Sequence, residues 1–300
     1  MECRTTKDCM IPADFARRLR QFQIRARRAV RGALGGEYRS IFKGSGITFD
    51  EVREYSPGDD IRAIDWNVTA RSDGAYIKRF EEERENRIVL AIDISSSMRF
   101  GSQRTKLEIA AEIAAMLAWC GLSNRDRVGA MTFADTVRTY LPATHRPLEL
   151  LRIVREIMAP EVAPGRTNIA GALNYFLRVE RARTTTFLIS DFADDDYETA
   201  LRIAGRRHDL TLIRVRDPLE RRLPDVGRIR VSDRETGAEV VVDTRNRERF
   251  EAVSETRRDA FLQNARAARA DVIDIRTDSD HAEALIRWFR TRRSRTGGNR

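Results

Sequence analysis

The chain has 300 residues, 41% hydrophobic and 34% charged, with a formal net charge of +9, which allows a sizeable buried core and excludes a disordered chain. Its longest nearly apolar segment, Ile109–Leu122, is too short to span a bilayer, the N-terminus has no apolar signal core, and Cys3, Cys9 and Cys120 read as reduced thiols, so a cytoplasmic location is expected. The basic excess gathers around residues 17–31 and 287–300 without zinc-finger spacing, interleaved aromatics or an RNA-binding signature; this favours solvated faces or protein contacts over nucleic acid or an anionic membrane.

Residues 1–36 are predicted to be a basic amphipathic helix, with Phe15, Leu19, Phe22 and Val30 on its apolar side, ended by Gly35-Gly36. Residues 37–85 read as a β-rich accessory segment, with turns at Gly44-Ser45-Gly46 and Ser56-Pro57-Gly58-Asp59 and a strand over 75–80. Trp66 is expected to be a packing anchor. Asp59, Asp60 and Asp65 could form a second metal cluster, but Arg53, Arg62 and Arg71 stand near enough to pair with them, and a fixed turn with ion pairs is favoured.

From Arg87 strands and helices alternate, the pattern of a doubly wound, mostly parallel α/β sheet flanked by helices, here over residues 86–293. The predicted strands are 87–92, 127–133, 136–140, 185–190, 210–215 and 271–275. The predicted helices are 105–122, 147–158, 168–180, 195–206, 246–269 and 280–293. Residues 228–232 and 239–243 form a predicted hairpin, and 294–300 a flexible tail. Cys120 falls within an apolar helical pattern and reads as core.

The stretch Arg87–Ser97 is an apolar strand that ends in Asp93, Ser95 and Ser97. In open α/β sheets ligands bind beyond the carboxyl ends of the strands, where the strand order reverses. A second apolar strand ends in Asp191, and between the two Thr167 precedes a predicted helix. Two carboxylates and three hydroxyls at strand ends form a set of hard oxygen ligands suited to Mg2+. Singly, Ser95, Ser97 or Thr167 could equally be a capping or turn residue; together, metal binding is the favoured reading.

These residues, Asp93-Ile94-Ser95-Ser96-Ser97, Thr167 and Ser190-Asp191, resemble the metal-ion-dependent adhesion site of von Willebrand factor A-like domains. The resemblance implies that Asp93, Ser95, Ser97, Thr167 and Asp191 surround a divalent cation, Mg2+ before Mn2+ or Ca2+, whose open position receives an Asp or Glu carboxylate from a partner. Phe192 follows Asp191 where many members of that family carry Gly. A narrower resemblance covers nearly the whole chain. Ser45–Phe49, Val52–Arg62 and Ile64–Arg71 are similar to the signature of the bacterial domain-of-unknown-function family fifty-eight, whose members carry an A-like domain after it. That resemblance implies work beside a MoxR-type AAA+ ATPase in the maturation or assembly of other proteins, with that ATPase or a client protein as the partner.

An enzyme is not expected. His145, His208 and His281 sit in no recognisable triad, no Gly-x-Ser-x-Gly elbow surrounds a serine, and there is no Gly-x-x-x-x-Gly-Lys phosphate loop. The expected function is therefore a cation-dependent protein-binding module, an adaptor or co-chaperone. The alternative is a metal-dependent phosphoester hydrolase.

Overall fold

The computed structural model describes residues 34–41, 48–56, 59–60, 64–71, 74–81, 86–158, 166–222, 224–232, 239–245 and 247–297. In chain order the elements are α1 (Gly35–Ile41), β1 (Thr48–Glu54), α2 (Trp66–Thr69), β2 (Tyr76–Glu81), β3 (Arg87–Asp93), α3 (Lys106–Ser123), β4 (Arg127–Phe133), β5 (Val137–Thr144), α4 (Pro147–Met158), α5 (Ile169–Val179), β6 (Thr185–Ser190), α6 (Glu198–Arg207), β7 (Asp209–Arg216), β8 (Arg228–Ser232), β9 (Glu239–Asp243), α7 (Arg247–Ala267), β10 (Asp271–Arg276) and α8 (His281–Gly297). Every strand and helix expected between residues 87 and 293 is present, with ends shifted by a few residues at most.

Six strands form the main sheet in the order β10-β7-β6-β3-β4-β5. All pairs are parallel except β5, which runs antiparallel to β4 at the edge. The chain builds outward from β3 through β4 and β5, then returns to the other side of β3 and continues through β6, β7 and β10. This is the doubly wound arrangement, and its order reverses between β3 and β6. β3 is apolar from Ile88 to Ile92 and β6 from Phe187 to Ile189, because both faces of the sheet are covered. Ile88, Leu90 and Ile92 of β3 pack on one face with residues of α1, α3, α4 and α8. Val89 and Ala91 pack on the other face with residues of α5, α6 and α7. By the same alternation Asp93 belongs to the second face.

Helix α3 starts at a reciprocal capping box, in which the Thr105 hydroxyl accepts from the Glu108 backbone N–H and the Glu108 carboxylate accepts from that of Thr105. It is apolar around most of its circumference, including Cys120, whose thiol is fully buried and pushed up to about 12 by that burial. The accessory segment contains the antiparallel pair β1–β2, with Ile64 bridged to Ile77. The expected hairpin β8–β9 pairs antiparallel with Arg228 opposite Asp243. Its turn, and the helix expected before residue 34, lie outside the described residues. No helix of the described residues is long and apolar enough to cross a membrane.

Three expectations need correction. Gly35 and Gly36, expected at the end of a helix, lie in the first turn of α1. Leu34 and Tyr38, one turn apart, are both fully buried, and this burial outweighs the poor helix propensity of glycine. The Tyr38 hydroxyl also donates to Asp126 Oδ2 at 2.6 Å, fixing α1 to the α3–β4 connection. Trp66 is not a packing anchor: it is 68% exposed. The tail expected from residue 294 is helical to Gly297. Arg295 within it, and Arg290, Arg292 and Arg293 just before it, are bound to the body of the protein: Arg292 pairs with Asp209 and Asp271, Arg295 with Asp271, and Arg290 and Arg293 with Glu37. Part of the basic C-terminal charge thus serves intramolecular contacts.

Candidate metal centre

The reversal between β3 and β6 leaves their carboxyl ends open, and the backbone joins three loops there. Ile94 N–H donates to the Phe133 carbonyl at 2.8 Å, tying the loop after β3 to the end of β4. Asn168 N–H donates to the Ala134 carbonyl at 2.9 Å, bringing the Thr167 loop to that same strand end. Ile169 N–H donates to Asp194 Oδ2 at 2.7 Å, linking the Thr167 loop to the loop after β6. The residues expected to form a cation site are therefore gathered at one end of the sheet.

Asp93 is completely buried. Its Oδ1 accepts from the Ser95 backbone N–H at 2.9 Å, and its Oδ2 accepts from the Ser190 hydroxyl at 2.6 Å. The Ser95 and Ser97 hydroxyls lie 3.1 Å apart. Neither serine caps a helix: the short 3-10 turn Ser97–Arg99 has Ser96 as its N-cap, without a side-chain hydrogen bond. Thr167, also buried, is not the cap of α5 either; Asn168 takes that place, accepting from Gly171 N–H at 2.7 Å. The capping alternatives for all three hydroxyls thus give way to other residues or to no cap at all.

Asp191 is buried beside Asp93, and the two carboxylates differ in charge environment. Burial, and then the Asp191 charge, push the Asp93 carboxyl above the ordinary carboxylate range. Burial alone would raise Asp191 as well, but the Lys106 ammonium beside it holds it below that range. Lys106 Nζ lies 2.5 Å from Asp191 Oδ2 and also contacts Glu220 Oε1. Its side chain is 1% exposed, and the two carboxylates keep it protonated against the cost of burial. Among the described residues no basic side chain pairs with Asp93.

The loop after β7 holds this arrangement together. Asp217 accepts from Ser102 N–H and from Thr277 Oγ1, at 2.8 and 2.6 Å, and so connects the ends of β7 and β10 to the approach to α3. The capping box Asp217–Glu220 then positions Glu220 against Lys106. Phe192 has a φ of 56°, a left-handed conformation natural to glycine and strained for phenylalanine. Its ring is buried against Phe261, at 4.7 Å between centroids, and this packing offsets the strain. The loop therefore keeps the backbone path that a glycine would allow.

Ser190, Lys106 and Glu220 are site residues that sequence reasoning did not assign. The signal available was compositional. Of 55 basic residues four are lysine, and Lys106 alone lies within 86–293. It also stands in the first turn of a helix, where the dipole disfavours a cation. The histidines stand elsewhere: His208 contacts Thr184 at the start of β6, and His281 contacts Glu112 on α3.

Two carboxylates flanked by hydroxyls, one of them fully buried without a cationic partner, fit a hard divalent cation. No group of three His, Cys, Asp or Glu side chains able to hold a metal occurs among the described residues, so the fit depends on the hydroxyls.

Residues 51–260 match the family model described as "Protein of unknown function DUF58". The chain belongs to the DUF58 family. Relatives of this DUF58 protein include Rv1480 of Mycobacterium tuberculosis H37Rv, 30% identical over 285 residues, which are 93% of this chain and 90% of that one. MAV169 of Mycobacterium avium is 29% identical over 160 residues, 52% of this chain and 95% of that one. Similar solved structures include BatB from Bacteroides thetaiotaomicron, 18% identical, covering 70% of this chain and 99% of that one with a TM-score of 0.46. The SpRpn10 VWA domain is 14% identical, covering 68% of this chain and 95% of that one with a TM-score of 0.40. The doubly wound assignment of the DUF58 chain stands on its own strand order.

Proposed function

We propose that this DUF58 protein is a divalent-cation-dependent protein-binding module. Asp93 supplies the charge that anchors the cation, Ser95, Ser97 and Thr167 supply neutral oxygens, and Asp191 approaches from the third loop. The observation that carries the reading is the fully buried Asp93 carboxylate, bonded to one backbone N–H and one hydroxyl and without a basic partner among the described residues. A bound Mg2+ would satisfy it. Because Lys106 already neutralises much of the Asp191 charge, the protein's own anions leave the cation electron-poor, and a partner's Asp or Glu completes the shell.

The partner proposed is a MoxR-type AAA+ ATPase or a client protein handled with it, in maturation or assembly of other proteins. This rests on the likeness of residues 45–71 to the family signature. The test is capture of a purified MoxR-type ATPase on immobilised protein, comparing wild type with Asp93→Ala in magnesium, and wild type in chelator. The ATPase itself uses magnesium, so the Asp93→Ala arm is decisive. Capture lost in that variant, with its circular dichroism unchanged, supports the reading; equal capture by both proteins overturns it. Metal-dependent turnover of a generic phosphoester, lost in Asp93→Asn, would favour a hydrolase instead.

A further inference from the structure

The strand register places a row of polar residues across one face of the sheet. Arg214 is paired with Ser190 on β6 and with Asp274 on β10, and Ser190 reaches Asp93, one step beyond the last β3–β6 pair. Arg214 is 8% exposed, its guanidinium lies 5.0 Å over the ring of Phe261, and its Nε and Nη1 have no hydrogen-bond partner among the described residues. Buried donors are almost always satisfied, and those of a guanidinium are costly to leave open.

Arg214 faces a cleft of about 210 Å³ that begins at Asp191 and Phe192 and is bounded by Arg221, Val253 and Arg257. The acidic groups lining this cleft are engaged elsewhere. Asp191 and Glu220 are held by Lys106, and Asp217 by Ser102 and Thr277. Arg216, also on the wall, is bound through two hydrogen bonds to Asp274. Arg214 and the exposed Arg257 make no ion pair among the described residues.

We propose that this cleft is a carboxylate-binding subsite anchored by Arg214, which takes an acidic side chain of the partner protein. Its volume is below the roughly 300–1,000 Å³ of small-molecule pockets and suits a single side chain. Phe192 and Val253 offer apolar wall for the methylene groups, and the guanidinium, whose Nε and Nη1 are closed to solvent, would turn toward the cleft to meet a carboxylate with two parallel hydrogen bonds. A phosphate ion lacks the methylene groups that this apolar wall would cover, which favours a carboxylate side chain over it. A partner segment with two neighbouring acidic residues could place one on the cation and the other on Arg214. That pairing rests on the cation reading above; the subsite itself does not.

The experiment is a titration of the full chain, in chelator, followed through the Arg214 Nε–Hε signal in nitrogen-15 NMR. The probes are N-acetylglutamate amide, N-acetylglutamine amide and inorganic phosphate. A saturable shift with the glutamate probe, at least about tenfold weaker with phosphate and absent with glutamine, is expected. Arg214→Gln should abolish probe binding. Val253→Glu, at an exposed position on the cleft wall, should shift the Arg214 signal unaided and compete with the probe; it decides the matter if Arg214→Gln does not fold. No saturable shift, equal binding by Arg214→Gln, or tighter binding of phosphate would overturn the proposal. Failure of the cation reading is seen separately, as magnesium leaving the Ser95 and Ser97 amide signals unmoved while Arg214 still responds to the glutamate probe.

Discussion

Replacing Lys106 by methionine keeps most of the side-chain volume and removes the buried ammonium. Asp191, whose side chain is 4% exposed, then loses the charge that keeps it ionised; Glu220, at 34%, can turn toward water. Removing one partner of a buried ion pair costs about 3–5 kcal/mol, and here Asp191 carries most of it, since an ion pair of a partly exposed carboxylate contributes about 1 kcal/mol or less. For a domain of this size that corresponds to a fall in melting temperature of about 6–20 °C. In the wild type the folded pKa of Asp191 is depressed, so its contribution is present above the unfolded value and is lost as pH falls through the folded one. In Lys106→Met burial acts alone and raises it, so the deficit is greatest at neutral pH and shrinks as pH falls toward the unfolded value of about 3.9, where protonation of the folded carboxyl relieves the variant. Urea denaturation of both proteins in chelator, at pH 7 and pH 4, measures this directly. A loss below about 1 kcal/mol at pH 7, or one independent of pH, would show that Lys106 does not neutralise Asp191 in the folded protein.

Asp93 has the opposite linkage. Its folded pKa is raised, so its contribution to stability is present below the unfolded value and lost as pH rises through the folded one. In chelator Asp93→Asn should therefore melt higher than wild type at pH 8, with the advantage fading on acidification; magnesium at 100 times its dissociation constant should add about 2.7 kcal/mol to wild type and nothing to the variant, as read by calorimetry. Phe192→Gly relieves about 1–2 kcal/mol of left-handed strain but removes a buried aromatic ring worth about 3–5 kcal/mol, so chemical denaturation should show a net loss of about 1–4 kcal/mol. An unchanged or increased stability would mean that the ring contributes little to the loop. Tyr38→Phe should cost about 1.5–3 kcal/mol by removing the hydrogen bond to the Asp126 carboxylate, and hydrogen exchange should then rise in α1 before it rises in β3.

The composition of the strands made the central architecture legible from the sequence. Ile88–Ile92 and Phe187–Ile189 are uninterrupted apolar runs because the sheet is covered on both faces, and each is followed within two residues by a buried carboxylate. The segment around Gly35-Gly36 was misread because helix propensity is a local quantity, whereas Leu34 and Tyr38 are held by burial against α3 and α8. Trp66 was misread for the converse reason: its size suggested burial, but α2 presents it to solvent.

The sequence by itself determined the candidate oxygen ligands proposed for a cation, Asp93, Ser95, Ser97, Thr167 and Asp191, each near a strand end or before a helix. Only the tertiary structure decided their charge. Lys106 is 85 residues from Asp191 and 114 from Glu220 in the chain, and Arg214 meets Ser190 only through strand register. Spacing along a chain reports which groups share a loop or a helix face. Electrostatic energy depends on distance and burial in space, and those are set when α3, β6 and β7 pack around the reversal of strand order.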